Sequence, residues 1–180
     1  MNNKKLQTHI TAILELIGED PKREGLKDTP KRVAKAYREW FKGYTTPPNY
    51  KLFKSNYKGI LARKEIPFIS HCEHHISIYT GFINFGYIPN GKVTGISKII
   101  RRFQHLSSRL TIQENLTDLL IDDFIEEIKP KGAIITLSAC HTCEGTRGIK
   151  VPNVPTITSS VRGVFEKDTS ARQEFFELIK

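Results

Sequence analysis

The sequence has little cysteine: 180 residues contain only three, Cys72, Cys140 and Cys143. An odd and small number of cysteines cannot supply a disulfide framework. A chain of this length needs none, because folding buries about 70% of the surface that the unfolded chain exposes. Reduced thiols or metal ligands fit the composition better, and both are typical of the cytosol. We therefore expect a cytoplasmic protein.

Long apolar runs are also missing. No segment is apolar over the length that a bilayer-spanning helix requires. The first residues, Met1 to Lys5, lead into an amphipathic segment, so no secretory signal is expected. With 26% charged and 38% hydrophobic residues, the composition is that of a globular domain, and we expect no membrane partner.

Acidic residues are scarce relative to basic ones. The chain has 28 Lys and Arg against 19 Asp and Glu, a net charge of +9. Such an excess indicates an anionic partner, and nucleic acid, an anionic membrane or a phosphorylated small molecule would each fit. A basic surface can also serve solubility alone, so charge does not choose among these classes.

Apolar periodicity predicts helices at both ends of the chain and a mixed region between them. Helical spacing covers 6–17 and 30–42, and a proline-containing stretch follows at 45–57. Beyond it the pattern predicts strands at 76–88, 92–96, 133–139 and 156–165, long helices at 97–110 and 113–128, and a last helix that Ser170 caps. This order predicts an α+β fold with a largely antiparallel sheet. We divide the chain into a helical arm with its linker, 1–57, and a compact domain, 58–180.

Two short clusters hold all three cysteines and four of the six histidines; they are His71-Cys72-Glu73-His74-His75 and Cys140-His141-Thr142-Cys143. Cys72 and His75 have the short spacing of a zinc ligand pair, and thiolate and imidazole are ligands that zinc favours. For one histidine alone an ordinary structural role would be the better interpretation. The joint pattern indicates a metal site.

Spacing alone leaves the type of site open. A structural zinc site would be closed by four ligands, with Cys140 as the fourth, and would suit a basic module that binds nucleic acid. A redox pair of Cys140 and Cys143 is a third interpretation, although such a pair usually opens a helix. Glu73, His74 and His141 favour catalysis, since a hydrolytic site requires proton donors and acceptors beside the metal.

Several basic residues lie near predicted helix starts or shortly after Cys143, and a serine lies beside one of them. They are Arg32, Lys35, Ser97, Lys98, Arg101 and Arg147. Helix starts present free N–H groups and a positive dipole end to phosphate, and guanidinium groups add bidentate contacts. For any single residue a solvated surface is the simpler interpretation. Arg147 is the most informative, because it follows Cys143 closely.

Five motifs together resemble the GTP cyclohydrolase I family. They are DTPKRV at 28–33, CEHH at 72–75, VTGISK at 93–98, QENLT at 113–117, and HTC at 141–143 followed by Arg147-Gly148. They occur in the family's order and span about residues 25–176. The resemblance implies a tunnelling fold: a four-stranded antiparallel sheet with two long helices on one face, preceded here by the helical arm. It also implies a homo-oligomer, expected to be a decamer of two stacked pentamers, with active sites between subunits.

The resemblance implies zinc bound by Cys72, His75 and Cys143, with Cys140 a bystander. The implied reaction converts GTP and water to formate and 7,8-dihydroneopterin triphosphate, the first step of pterin and tetrahydrofolate biosynthesis. His74 would act as general acid and His141 would assist later proton transfers. By the same resemblance Gln113 and Glu114 would hold the guanine edge, and Ser97 would lie near the ribose. The triphosphate would be held by Arg32, Lys35, Lys98, Arg101 and Arg147. GTP is then the expected partner, and nucleic acid is not.

Three places depart from the family pattern, one of them the segment from Lys150 to Thr156. Glu144 follows the last zinc ligand where the family usually carries apolar or basic residues, and Asn115 stands where arginine is common. They motivate the alternative of a related tunnelling-fold enzyme that acts on another purine or a pterin.

Overall fold

The computed structural model describes residues 2–180, and the chain forms two compact units, Met1–Lys42 and Gly43–Lys180. The first unit consists of helices α1 (Asn3–Leu16) and α2 (Thr29–Trp40), which pack against each other. The Asn2 side chain caps α1 by accepting a hydrogen bond from the Lys5 N–H, and Pro30 stands in the first turn of α2. No helix within residues 2–180 is both long and apolar enough to cross a membrane.

The second unit is built on a four-stranded antiparallel sheet. The strands of this unit are β1 (Leu52–Lys54), β2 (Leu61–His71), β3 (Ile78–Ile88), β4 (Lys92–Thr94), β5 (Gly132–His141) and β6 (Pro155–Gly163). The large sheet has the order β2-β3-β5-β6, and β1 and β4 form a separate two-stranded sheet. Its helices are α3 (Ile96–Ser107), α4 (Gln113–Ile128), α5 (Thr142–Gly145), α6 (Val164–Lys167) and α7 (Thr169–Leu178).

The two long helices cover one face of the sheet. Helix α3 packs on β2, and α4 packs on β5 and β6. Alternate residues of β3 (Ile83, Phe85 and Tyr87) are buried toward the helices, as the two-residue period of a strand requires. The α+β tunnelling-fold arrangement expected from the sequence, a four-stranded antiparallel sheet with two long helices on one face, is confirmed.

An aromatic cluster centred on Phe124 joins the helices to the sheet. The Phe124 ring lies 4.6 Å from Phe85, 4.9 Å from Tyr87 and 6.4 Å from Phe103, centroid to centroid. Tilted and edge-on geometries such as these suit the charge distribution of aromatic rings. All four rings are almost completely buried, so this cluster is the centre of the core.

Several details differ from the sequence prediction. Strand β2 was not among the predicted strands, because a bulge between Arg63 and Ile66, with Glu65 at φ 55°, interrupts the alternation by which a strand is recognised. The strand predicted at 92–96 ends at Thr94 and pairs with β1 rather than extending the large sheet. The cap of α7 is Asp168, whose side chain accepts from the Ala171 N–H, and not Ser170.

The boundary between the units also differs from the expected division after residue 57. Residues 43–57 contain β1, which pairs with β4, and Tyr50, whose ring packs edge-on against Phe124 at 5.5 Å. These contacts assign the segment to the second unit, although its prolines and sparse apolar residues are typical of a linker.

Replacing Phe124 by alanine should lower the free energy of unfolding by about 3–5 kcal/mol, because it leaves a cavity within the aromatic cluster. Phe176 is 45% exposed on α7, so Phe176→Ala should cost about 1 kcal/mol or less. Chemical denaturation of the two variants beside the wild type measures both values. Equal losses would show that Phe124 is not central to the core.

Candidate active and metal-binding site

The candidate site lies where β2 and β5 end on either side of the start of β3. Both strands run antiparallel to β3, so their carboxyl ends meet at the same edge of the sheet. His71 pairs with Ile78, and Tyr79 pairs with His141. The residues after both strands, which include Cys72 and Cys143, therefore emerge side by side although about 70 positions separate them.

Three ligand-type residues come together at this edge. One side-chain atom each of Cys72, His75 and Cys143 lies within 4.8 Å of the others, and Cys72 Sγ is 4.0 Å from His75 Nδ1. A tight turn sets the spacing: the Cys72 carbonyl accepts from the Ile76 N–H at 2.9 Å, and Ile76 has a left-handed φ of 55°. Two thiols and one imidazole form a donor set that fits a tetrahedral metal with one open position.

Cys140 is outside this cluster, and the alternation of β5 gives the reason. Ala133, Ile135, Leu137 and Ala139 point into the core beneath the helices, so His141 shares their face. Cys140 belongs to the opposite face of the sheet, at a ladder position between Thr80 and Pro155. The cluster among the described residues is therefore the three-ligand set implied by the family resemblance, not the closed four-ligand alternative.

The cluster opens into a cleft of about 340 Å³. The cleft brings together seven of the residues expected at the site: Cys72, His74, His75, Gln113, Glu114, His141 and Cys143. Ile112, Glu144 and Thr156 complete its lining. Gln113 and Glu114 reach the cleft because α4 starts beside the end of β5, and Gln113 is only 1% exposed.

His141 is held on two sides. The Tyr79 ring stacks on the imidazole with centroids 4.4 Å apart and planes 8° from parallel. The His141 Nε2 atom lies 3.0 Å from Gln113 Oε1. Burial lowers the pKa of His141, and the carboxylates of Glu114 and Glu144 oppose that shift only in part. The neutral imidazole is therefore favoured relative to a solvated histidine.

The remaining expected residues lie outside the cleft lining. Glu73 is exposed in the turn after β2. Ser97, Lys98 and Arg101 belong to the amino-terminal part of α3. Arg147 places one guanidinium nitrogen, Nη1, 2.7 Å from His75 Nε2, so positive charge reaches the edge of the cluster, as its position in the sequence suggests.

Arg32 and Lys35 belong to α2 in the first unit. They line a cleft of about 440 Å³ within that unit, together with Asn3, Gln7, Asp28, Lys31 and Arg38. Four basic side chains against one acidic side chain make this cleft suited to an anion.

Sequence reasoning missed Ile112 and Thr156 in the cleft and Tyr79 beneath His141. The position of Tyr79 follows from the register of β3 against β5, and no motif marks it. Neither Ile112 nor Thr156 belongs to one of the five motifs, so only the fold identifies them.

Known proteins resemble this chain over nearly its whole length. The sequence profile of the family described as GTP cyclohydrolase I matches residues 6–180. GTP cyclohydrolase 1 of Halalkalibacterium halodurans is 44% identical over 184 aligned residues, covering 100% of this chain and 98% of that protein. The corresponding protein of Bacillus subtilis is 41% identical over 184 residues, covering 100% and 97%.

Among solved structures, the archaeosine synthase QueF-Like in the apo form is a distant match. It has 19% sequence identity and a TM-score of 0.41, and it covers 57% of this chain and 93% of that chain. The sequence matches over the full length are far stronger, and by them this chain belongs to the GTP cyclohydrolase I family.

Proposed function

We propose that this protein hydrolyses GTP to formate and 7,8-dihydroneopterin triphosphate, the first step of pterin and tetrahydrofolate biosynthesis. The observation that carries the proposal is the cleft in which the Cys72, His75 and Cys143 cluster lies beside His74 and His141. Membership of the GTP cyclohydrolase I family over residues 6–180 supports the same conclusion. The free cysteines of the chain suit a reducing compartment, and we place the reaction in the cytoplasm.

Zinc is the metal that we propose for the cluster. Two cysteines, one histidine and an open fourth position form a donor set that catalytic zinc uses. When bound, zinc supplies a Lewis acid that makes water a nucleophile near neutral pH. Cys72 is buried and would remain anchored in the core, whereas His75 is exposed and can adjust its ring to the ion.

Proton transfer falls to the titratable groups around the cluster. His74 lines the cleft next to His75, with ring centroids 6.3 Å apart, and as a general acid it would protonate a ring nitrogen of the purine. His141 is half-buried on the other side and would serve the later proton transfers of ring opening. Glu73, exposed in the same turn as His74, is a third candidate for proton exchange.

The substrate would divide between the cleft and the basic surface. About 340 Å³ is at the lower end of the size of ligand pockets, so the cleft suits the base and ribose. The Glu114 carboxylate can accept from the N–H groups of the guanine edge. The triphosphate would lie outside, toward Arg147. We propose that Ser97 near the ribose and Arg32, Lys35, Lys98 and Arg101 at the triphosphate complete the site.

We further propose that the protein assembles into a homodecamer with active sites between subunits. Ser97, Lys98 and Arg101 do not line the cleft of their own chain, as expected if neighbouring subunits combine their residues. The face of the large sheet that is turned away from α3 and α4 exposes three large apolar side chains, Ile69, Phe82 and Ile157. Apolar surface of this kind is typical of an interface.

Zinc-loaded protein should release formate from GTP, and His141→Ala should lower kcat by about 100-fold or more because a proton-transfer group is lost. His9→Ala is the matched control, since His9 is exposed on α1. Enzymatic formate determination measures both. Wild-type protein that binds zinc and GTP but releases no formate would refute the proposal, and preferential turnover of another purine or a pterin would favour the related-enzyme alternative.

Cys143→Ser should weaken zinc binding by more than about 100-fold, because the thiolate that would bind the metal directly is lost. Replacing a residue that only hydrogen-bonds to a ligand already lowers metal affinity about 10- to 100-fold. Cys140→Ser should leave the affinity unchanged, since Cys140 belongs to the other face of β5. Competition with a chromophoric chelator gives both affinities. Equal weakening in the two variants would support the four-ligand site instead.

Zinc affinity should rise with pH through the range in which thiols ionise. Burial raises the pKa of the Cys72 thiol, so at neutral pH the metal must displace a proton to bind the thiolate. As pH falls this competition grows and the affinity decreases. Titration calorimetry in buffers of different ionisation enthalpy measures the protons released. Binding without proton release at neutral pH would contradict the assignment of Cys72 as a ligand.

A further inference from the structure

The side chain of Gln113 is fully engaged within the protein. Its Nε2 atom donates toward the Thr156 carbonyl at 2.9 Å, the Thr158 hydroxyl at 3.1 Å and the Leu137 carbonyl at 3.2 Å. Its Oε1 atom faces His141 Nε2 at 3.0 Å. An amide has two hydrogens and one carbonyl oxygen, so these contacts leave the side chain no free donor for a ligand.

The neighbours of Gln113 fix which way its amide points. Two backbone carbonyls can only accept, so the atom that faces them must be the NH₂ nitrogen. A chain of hydroxyls adds to this constraint. Thr117 donates to the Gln113 backbone carbonyl at 2.8 Å, and Thr158 lies 2.7 Å from Thr117. Since the Thr117 hydrogen is used, Thr158 must donate to Thr117 and accept from Gln113.

This orientation determines the hydrogen position on His141. Gln113 Oε1 can only accept, so His141 Nε2 must carry a hydrogen and donate. In the neutral imidazole the other nitrogen, Nδ1, is then the one that can accept a proton. The stacked ring of Tyr79 fixes the plane of the imidazole as well.

We propose that Gln113 is a positioning residue that holds His141 in the Nε2–H tautomer, so that proton exchange in the reaction takes place at Nδ1. Gln113 then acts through His141 and not by contacting guanine with its side chain, and of the two residues Glu114 is the one that offers its side chain to the guanine edge. The role in the reaction rests on the proposed function, whereas the tautomer does not.

Magic-angle-spinning NMR of zinc-loaded protein labelled with ¹³C,¹⁵N-histidine tests the tautomer directly, with His141→Ala to assign the resonance. The wild type should show His141 protonated at Nε2, and Gln113→Met should lose this preference. Gln113→Glu should also retain it, because the buried side chain in its protonated acid form donates to the Thr156 carbonyl and turns its other oxygen toward His141. Gln104→Met is the matched control, because Gln104 lies on α3 and donates to the Pro67 carbonyl. A wild-type His141 protonated at Nδ1 would overturn the proposal whether or not GTP is hydrolysed.

Kinetics separates positioning from substrate contact. Gln113→Met should lower kcat for formate release by about 100-fold, with KM for GTP within about 3-fold of the wild type. Gln113→Glu should restore part of kcat. A raised KM with unchanged kcat would show that Gln113 binds guanine and would overturn the positioning role. Zinc content and circular dichroism show whether each variant folds. If Gln113→Met fails to fold, Gln113→Glu gives the decisive comparison. If the wild type releases no formate, the proposed function fails, and the NMR result still decides the tautomer.

Discussion

The pairing of β3 with both β2 and β5 is the constraint on which the rest of the structure depends. It makes β2 and β5 run in the same direction, so that two turns distant in the sequence end at one edge. The candidate metal site takes side chains from both turns, Cys72 and His75 from the first and Cys143 from the second. The same ladder sets Tyr79 against His141, so it also places an imidazole beside the cluster.

A buried ion pair holds the helices that support this edge. Arg102 of α3 is 4% exposed and donates two hydrogen bonds to the Asp123 carboxylate of α4, at 2.6 and 2.8 Å. Its guanidinium lies 4.7 Å from the Tyr50 ring and also donates to the Pro48 carbonyl. Removing one partner of such a pair leaves an uncompensated charge in the interior. The arrangement thus fixes α3, α4 and the segment before β1 together, and α4 in turn presents Gln113 and Glu114.

The sequence predicted the helices well and the sheet less well. The limits of α4 follow from its apolar period, whereas β2 was not predicted, because its bulge at Glu65 disrupts the alternation of apolar and polar residues. Two of the five motifs, CEHH and HTC, contain the three residues of the candidate metal site and the histidines that line the cleft. Spacing could not separate Cys140 from Cys143, since the distinction depends on which face of β5 each residue occupies. Tyr79 and the hydrogen bonds of Gln113 depend on register and packing between distant segments, which one sequence does not encode locally.

The alternation of β5 has a consequence for how this protein can evolve. Residues 133, 135, 137 and 139 face the helices, and His141 extends that row. Inserting or deleting one residue within the strand would move every following side chain to the other face. After an insertion Cys140 would take the position over Tyr79, and after a deletion Thr142 would take it, so the imidazole at the cleft would be replaced by a thiol or a hydroxyl. Point substitutions in β5 can be absorbed by packing, but a change in its length replaces the chemistry of the site.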